Sequence, residues 1–393
     1  MWRCYLFDTM TGIIGAPIEL PSFSWTADIN SSTLSTTRDT RPGQLEASNL
    51  KVPWDAIPGR TQAAKAKEVA SLRRSILVCW HGLDDVERPI LAGAIGARTD
   101  TMNDTSFSLL SPYAMLTSRF LVKDGTFGKN AHRGTSSAYA WKGCSRRAIA
   151  CGVIQACTGD KLGGALPIDL PYLGEKGIHE RNYKGSAVMS CKKILENLAS
   201  DNGAPDMQIR PYLIDASHMR YRFIAGSDSE PHLPQRGLIK TLSCFRGGGT
   251  LQNISVAHAA PIERVYQTGE GQDEAMICAM AEDKTLITQR DPWPLAEASY
   301  QNQQLPKHLA LSSATARLNA SKRPALQLTG EINAQDPYAP ELGTFWCGEQ
   351  FDIDIADFPS IPDGIYRMRL MEMRGTESSS IKLTFDVMQD PIW

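Results

Sequence analysis

The sequence carries almost no excess of charge of either sign: 41 Lys and Arg stand against 43 Asp and Glu in 393 residues, a net charge of −2. That balance removes both the sequence-independent attraction to phosphate backbones and the polybasic attraction to anionic membranes. Long apolar runs are missing too. Ile149 to Ala156 is already interrupted by Gly152 and Gln155, well short of the roughly 18 residues that cross a bilayer, so no membrane span is expected. The opening Met1-Trp2-Arg3-Cys4-Tyr5-Leu6-Phe7-Asp8 meets charge too early for a signal-peptide apolar region, which predicts folding in the cytoplasm. Closely spaced metal ligands are lacking. The seven His lie at least 14 positions apart, HExxH does not occur, and the nine cysteines are odd in number and scattered. They read as reduced, mostly buried small apolar residues; Cys144, Cys151 and Cys157 are assigned to packing rather than zinc.

Catalytic motifs are equally scarce. Gly125-Thr126-Phe127-Gly128-Lys129-Asn130 lacks the first glycine and the Ser/Thr of a phosphate-cradling loop, and Arg246-Gly247-Gly248-Gly249-Thr250 and Gly269-Glu270-Gly271 read as flexible turns. Neither GxSxG nor SxxK with its companions is found. Asp84-Asp85 is expected to be a turn. Asp352-Ile353-Asp354-Ile355 lacks the glycine of a calcium loop and has the alternation of a strand with one wet face. His81 and His258 are read as half-buried sheet residues. No catalytic, cofactor-binding or metal-ligating residue is therefore assigned, no cofactor is implied, and the chain is not expected to be an enzyme. One basic cluster stands out: Lys65, Lys67, Arg73, Arg74 and Arg98, with Arg146-Arg147 apart. A solvated face explains it, and an acidic protein neighbour is the sharper alternative.

What is present is a pattern of short, alternating strands. Trp2, Cys4 and Leu6 alternate with Arg3, Tyr5 and Phe7 up to a turn at Thr11-Gly12, and Ser22 to Ala27 again has period two. Thr33 to Pro58 reads as a long loop with at most irregular strand. Thr61 is a good N-cap for a surface helix over Gln62 to Arg74. Strands are expected at Ile76 to His81, Pro89 to Ile95, Phe107 to Leu110 and Phe120 to Lys123, together making a small β-barrel or sandwich. The period turns helical from Ser145, with Ile149, Val153 and Ala156/Cys157 on one face. A second helix is placed from Ser186, with a Lys192–Glu196 pair and a stop at Gly203. Strands at Met207 to Ile214 and Met219 to Ala225 complete an α+β unit. Later come extended segments at Ile254 to Ala260 and Arg264 to Gly269, a strand or short helix at Ala275 to Ala281, and a helix from Pro306 to Ala320. Alternating runs at Ala325 to Glu331, Phe351 to Ile355, Ile365 to Met373 and Ile381 to Met388 suit a second β-barrel. The fold class is thus α+β, mainly β, with two β-barrel domains and α+β domains. The divisions fall at 1–130 (first barrel), 131–240 (α+β) and 241–393 (second barrel, with an α/β insertion near 290–325).

Several segments carry a resemblance. Trp2-Arg3-Cys4-Tyr5-Leu6-Phe7-Asp8-Thr9-Met10-Thr11-Gly12, then Glu19-Leu20-Pro21 and Phe23-Ser24-Trp25-Thr26, resemble the start of minor tail proteins of siphophages that infect actinobacteria. Leu91-Ala92-Gly93-Ala94-Ile95 is similar to that family's return strand, and Val265-Tyr266-Gln267-Thr268-Gly269-Glu270-Gly271 to its V-Y-x-x-G-x-G segment. Gly343-Thr344-Phe345-Trp346-Cys347-Gly348-Glu349-Gln350-Phe351 resembles the G-x-x-W-x-x-G-D-x-V lead into the last barrel, with Glu349 where Asp is usual.

The resemblance implies a tail-hub (baseplate hub)-like fold and a structural role in the virion, at the tail tip, after assembly in the host bacterial cytoplasm. It implies a homotrimer forming a pseudo-sixfold ring. That ring would dock on the distal tail protein, surround a lumen through which DNA passes without specific binding, and contact the C-terminus of the tape measure protein and the central spike or fibre proteins. Two alternatives stay open: a tail-associated cell-wall hydrolase, and a receptor-binding protein stacking glycans on exposed aromatics such as Trp54, Trp141 or Trp293. Trp25, Trp80 and Trp346 are assigned to core or interface.

Overall fold

Trp2, Cys4 and Leu6 face one side of the first strand, and that side is covered from both ends of the chain. The computed structural model describes residues 1–29, 45–123, 126–128, 138–200, 203–303 and 305–389. The part of the Thr33–Pro58 loop reading before residue 45, and Gly125, Lys129 and Asn130, lie outside the described residues. β1 (Trp2–Asp8) is as expected, except that Phe7 on its other face is buried too, beneath a second core. Gly12 turns the chain with φ +75° into β2 (Ile14–Pro17), and β3 (Ser24–Asp28) and β4 (Leu45–Pro53) follow. β4 is a nine-residue strand where a loop was expected, because it is held between β3 and β7 in the sheet.

Thr61 Oγ1 accepts the Ala64 amide at 3.2 Å and caps α1 (Gln62–Glu68), a helix with no buried residue. It ends six residues before Arg74. Leu72 has left-handed backbone (φ +62°), and Arg74 already opens β5 (Arg74–His81). β6 (Glu87–Asp100) and β7 (Asp104–Leu110) extend the sheet, and α2 (Pro112–Met115) is a single turn capped by Ser111. Phe120–Lys123 is not a strand; it makes one isolated bridge, Phe120 to Ser190.

The α+β unit begins at β8 (Ala138–Cys144). α3 (Arg146–Cys157), capped by Ser145, buries Ile149, Val153, Ala156 and Cys157 as expected. β9 (Ile168–Asp169) and β10 (Lys176–Lys184) lead to α4 (Cys191–Ser200). This helix starts five residues after Ser186. Val188 has φ +48°, which breaks helical continuity, and Ser190 Oγ caps instead by accepting the Lys193 amide at 3.2 Å. The expected Lys192–Glu196 pair is replaced by Lys193–Glu196 at 4.0 Å, while Lys192 sits over the Tyr113 ring. β11 (Met207–Asp215) and β12 (His218–Ala225) are the two expected antiparallel strands.

β13 (Lys240–Cys244) and β14 (Gln252–Ala259) precede a small layer: β15 (Arg264–Thr268), β16 (Cys278–Glu282), the turn α5 (Thr285–Thr288), β17 (Glu297–Gln301) and α6 (Lys307–Ser321). β18 (Ala325–Asn333), β19 (Gln350–Ile355), β20 (Gly364–Thr376) and β21 (Ser380–Gln389) close the chain.

Mainly β architecture with α+β additions is what forms. Among the described residues thirteen strands share one half-barrel sheet, in which β14-β18-β21-β20-β3-β4-β7-β6-β5-β1-β2 are consecutive neighbours. β20 is long enough to serve twice: residues 364–369 pair with β19, and residues 370–376 pair with β21 and β3. β3 therefore stitches the first third of the chain to its last. One large core runs through both regions, and a second joins α3, α4, β11 and β12 to the back of β1, β5 and β6.

Candidate functional site

The segments that resemble tail proteins at the two chain ends meet at this stitch. Alternation puts Trp2 on the inner face of β1, where its ring meets Phe23, Trp25 and Trp80 edge-on at centroid distances of 5.5, 5.9 and 5.0 Å. Trp2 Nε1 donates to the Ser378 carbonyl at 3.0 Å, and Trp80 Nε1 to Glu341 Oε1 at 2.9 Å. Both bonds cross from the first hundred residues to the last sixty. An open groove of about 860 Å³ runs beside the cluster, lined by Trp2, Tyr5, Leu20, Phe23 and Trp80 among others. Trp25, Trp80 and Trp346 are buried, as expected; Trp54 and Trp141 are half-buried against neighbouring aromatic or cationic groups rather than open platforms.

Below the stitch the α+β unit is bolted on by buried polar groups. Arg210 on β11 and Glu349 in the Gly343–Phe351 segment are 3% and 1% exposed. Arg210 Nε donates to Gln208 Oε1 at 2.5 Å, its Nη2 to the Cys347 carbonyl at 2.9 Å, and its guanidinium lies 5.1 Å from the Trp346 ring. Gln208 Nε2 passes the contact to the Asp28 carbonyl at 2.7 Å, and Cys347 Sγ reaches the Ala27 carbonyl at 3.1 Å. Three regions distant in sequence, the end of β3, β11 and residues 346–349, thus share one network. Its weak point is the ion pair itself, where Arg210 Nη1 and Glu349 Oε1 stand 3.8 Å apart and neither atom has a hydrogen-bond partner. Burial pushes the Glu349 carboxyl up to about 7, against the pull of Arg210 and Arg236, and lowers Arg210 to about 10. Sequence reasoning noted Glu349 only as a departure from a motif, and nothing local marked Arg210 as its partner.

The basic cluster is largely neutralised within the chain. Lys65 pairs with Asp55 at 3.6 Å, Arg74 with Glu68 and Asp8, Arg98 with Asp100, and Arg147 with Glu175. Asp84-Asp85 does form a turn, with Asp85 at φ +61°, and the Arg88 guanidinium holds Asp84 down at about 2. Asp352 and Asp354 line the wetter face of β19 while Ile353 and Ile355 are buried. His81, in β5, lies 2.8 Å from Asp85. All nine cysteines are unpaired; seven are buried, Cys144 is half-buried and Cys278 is exposed. Among the described residues no group of three or more His, Cys, Asp or Glu is arranged to hold a metal, and no helix is long and apolar enough to cross a membrane.

The Val265–Gly271 segment lies elsewhere, in the three-stranded sheet β16-β15-β17, whose inner face packs Val265 and Ala281 on α6. Its outer face bears Tyr266 and Met280 as an exposed cross-strand pair.

No protein-family model matches the chain, and no curated protein matches it. Solved structures do. The 43 kDa tail protein of prophage MuSo2 from Shewanella oneidensis matches with a TM-score of 0.50 at 8% identity, over 98% of each chain. The chain folds like a prophage tail protein. A tail protein from Neisseria meningitidis MC58 is similar at a TM-score of 0.49 and 12% identity, covering 100% of this chain and 98% of that one. Prophage tail protein gp18 from Listeria monocytogenes EGD-e stands at 0.42 and 8%, covering 100% and 95%.

Proposed function

We propose that this chain is a structural protein of a phage virion, the hub of the tail tip. In this reading three copies close into a ring that joins the distal tail protein and tail tube to the central spike or fibre, touches the tape measure protein, and leaves a lumen for DNA. The observation that carries it is the full-length likeness in fold to the Shewanella prophage tail protein. The stitched sheet fits the same reading. A threefold ring that meets a sixfold tube needs two comparable surfaces per chain, and the sheet regions either side of β3 would supply them, as barrel domains at 1–130 and 241–393 with the α+β unit at 131–240 between. Near-neutral charge agrees with partners that are other tail proteins.

The test has two steps. Light scattering of the purified protein should give three times the 43.2 kDa chain mass or, once the distal tail protein is added, a complex that contains three copies of the chain. Electron cryomicroscopy of intact tails should place three copies at the tip. A chain that stays monomeric under both conditions, or that lies along the tube away from the tip, overturns the reading.

A further inference from the structure

The buried contact between β11 and the Gly343–Phe351 segment is built as a clamp with one variable member. Arg210 keeps its charge supported from three sides without any ion pair, by Gln208 Oε1, the Cys347 carbonyl and the Trp346 ring. Glu349 has no such support at Oε1, and at 3.8 Å the guanidinium is beyond hydrogen-bond reach. A neutral carboxylic acid can occupy that position at modest cost, whereas an ionised carboxylate with one oxygen left without a donor is expensive in a dry site. Other charges face the pair. Arg236 and Lys240, leading into and opening β13, act on Glu349, as does the Trp346 amide; Arg236, Tyr172 and Cys347 act on Arg210, and Asp28 and Glu372 act on Cys347.

We propose that the Arg210–Glu349 contact is a proton-operated latch. With the Glu349 carboxyl protonated, the α+β unit is clamped against the half-barrel as observed; when the carboxyl ionises, β11 loosens from residues 346–349. The contact is placed to act on more than itself. Arg210 leads through Gln208 to Asp28 at the end of β3, so loosening it reaches the strand that joins the two regions of the sheet. The direction of the Glu349 displacement agrees, since burial raises its carboxyl from 4.5 to about 7 and is the largest influence on it. A group raised in the folded state stabilises that state fully below its unfolded value and loses the contribution as pH rises through the folded one. The contact is therefore tightest near pH 5 and weakened near pH 8. This inference does not depend on the tail-hub reading.

Hydrogen exchange of the full-length protein between pH 5 and 8, corrected for intrinsic rates, tests it. Protection of amides in β11 and at 346–350 should fall by up to about tenfold per pH unit between roughly 5 and 7, then level off, while amides of β5 and β6 keep theirs. The Glu349→Gln variant, a fixed neutral side chain, should show protection in β11 that no longer depends on pH over that range. Flat protection in the wild type, a rise with pH as the ion pair closes, or an equal loss at every amide would each overturn the latch. The wild-type measurement decides the matter even if the variant fails to fold.

Discussion

A methyl group placed on Gly375 would lie 2.6 Å from Nε1 of Trp25, its partner across the β20–β3 pairing that joins the two regions of the sheet. Real Cβ atoms do not approach that closely, and Trp25 is 2% exposed with no room to retreat. The Trp25 indole is packed against the bare backbone of its neighbour. Gly375→Ala should accordingly destabilise the protein by about 1–3 kcal/mol through overpacking. Gly364→Ala is the control, because its Cβ would meet only Tyr366 Cε2, at 3.8 Å in the same strand. Denaturant midpoints of the two variants should separate by the full effect.

Ser145 serves α3 twice. Its Oγ accepts the Ala148 amide at 3.1 Å and donates to Glu175 Oε2 at 2.5 Å, and Glu175 in turn holds Arg147. Ser145→Ala should cost about 1–2 kcal/mol, and Ser145→Thr, which keeps the hydroxyl, much less. Thermal unfolding of both variants checks it.

The cysteines should label in order of exposure. Cys278 is exposed and Cys144 half-buried, whereas burial pushes the thiols of Cys4 and Cys151 up to about 12 and so denies them thiolate at neutral pH. Mass spectrometry after brief alkylation of the native protein should find Cys278 modified first and Cys144 next. The seven buried thiols should react only after denaturation.

Among the described residues the layer of β15, β16, β17 and α6 has a small buried apolar cluster, Val265, Ala281, Ala314 and Leu318, with Ala310 also buried on α6. So small a core predicts an independent opening unit of low stability. Val265→Ala should remove about 1–2 kcal/mol from a unit with little to lose. Hydrogen exchange should speed in β15 to β17 and α6 while β5 and β6 stay protected.

Much of the strand inventory was legible because burial on one face leaves period-two alternation, as in Trp2–Leu6 and Phe351–Ile355. Caps were legible where a hydroxyl precedes a run of helix formers, as at Thr61 and Ser145. Misreadings have local causes of a tertiary kind. Leu72 and Val188 have left-handed backbone in the connections beside α1 and α4, so neither helix runs through them. β4 carries too little alternation to announce itself and is a strand because β3 and β7 flank it.

Sequence by itself determined composition class, the mainly β character, the α+β middle and the absence of any compact catalytic motif, because each follows from local periodicity or spacing. Only the tertiary structure decided that β20 pairs with β3, that Arg210 meets Glu349 across 139 positions, and that the basic cluster is largely neutralised within the chain. Pairing partners and buried charges are set by which surfaces come together in three dimensions, and no pattern along the chain records that.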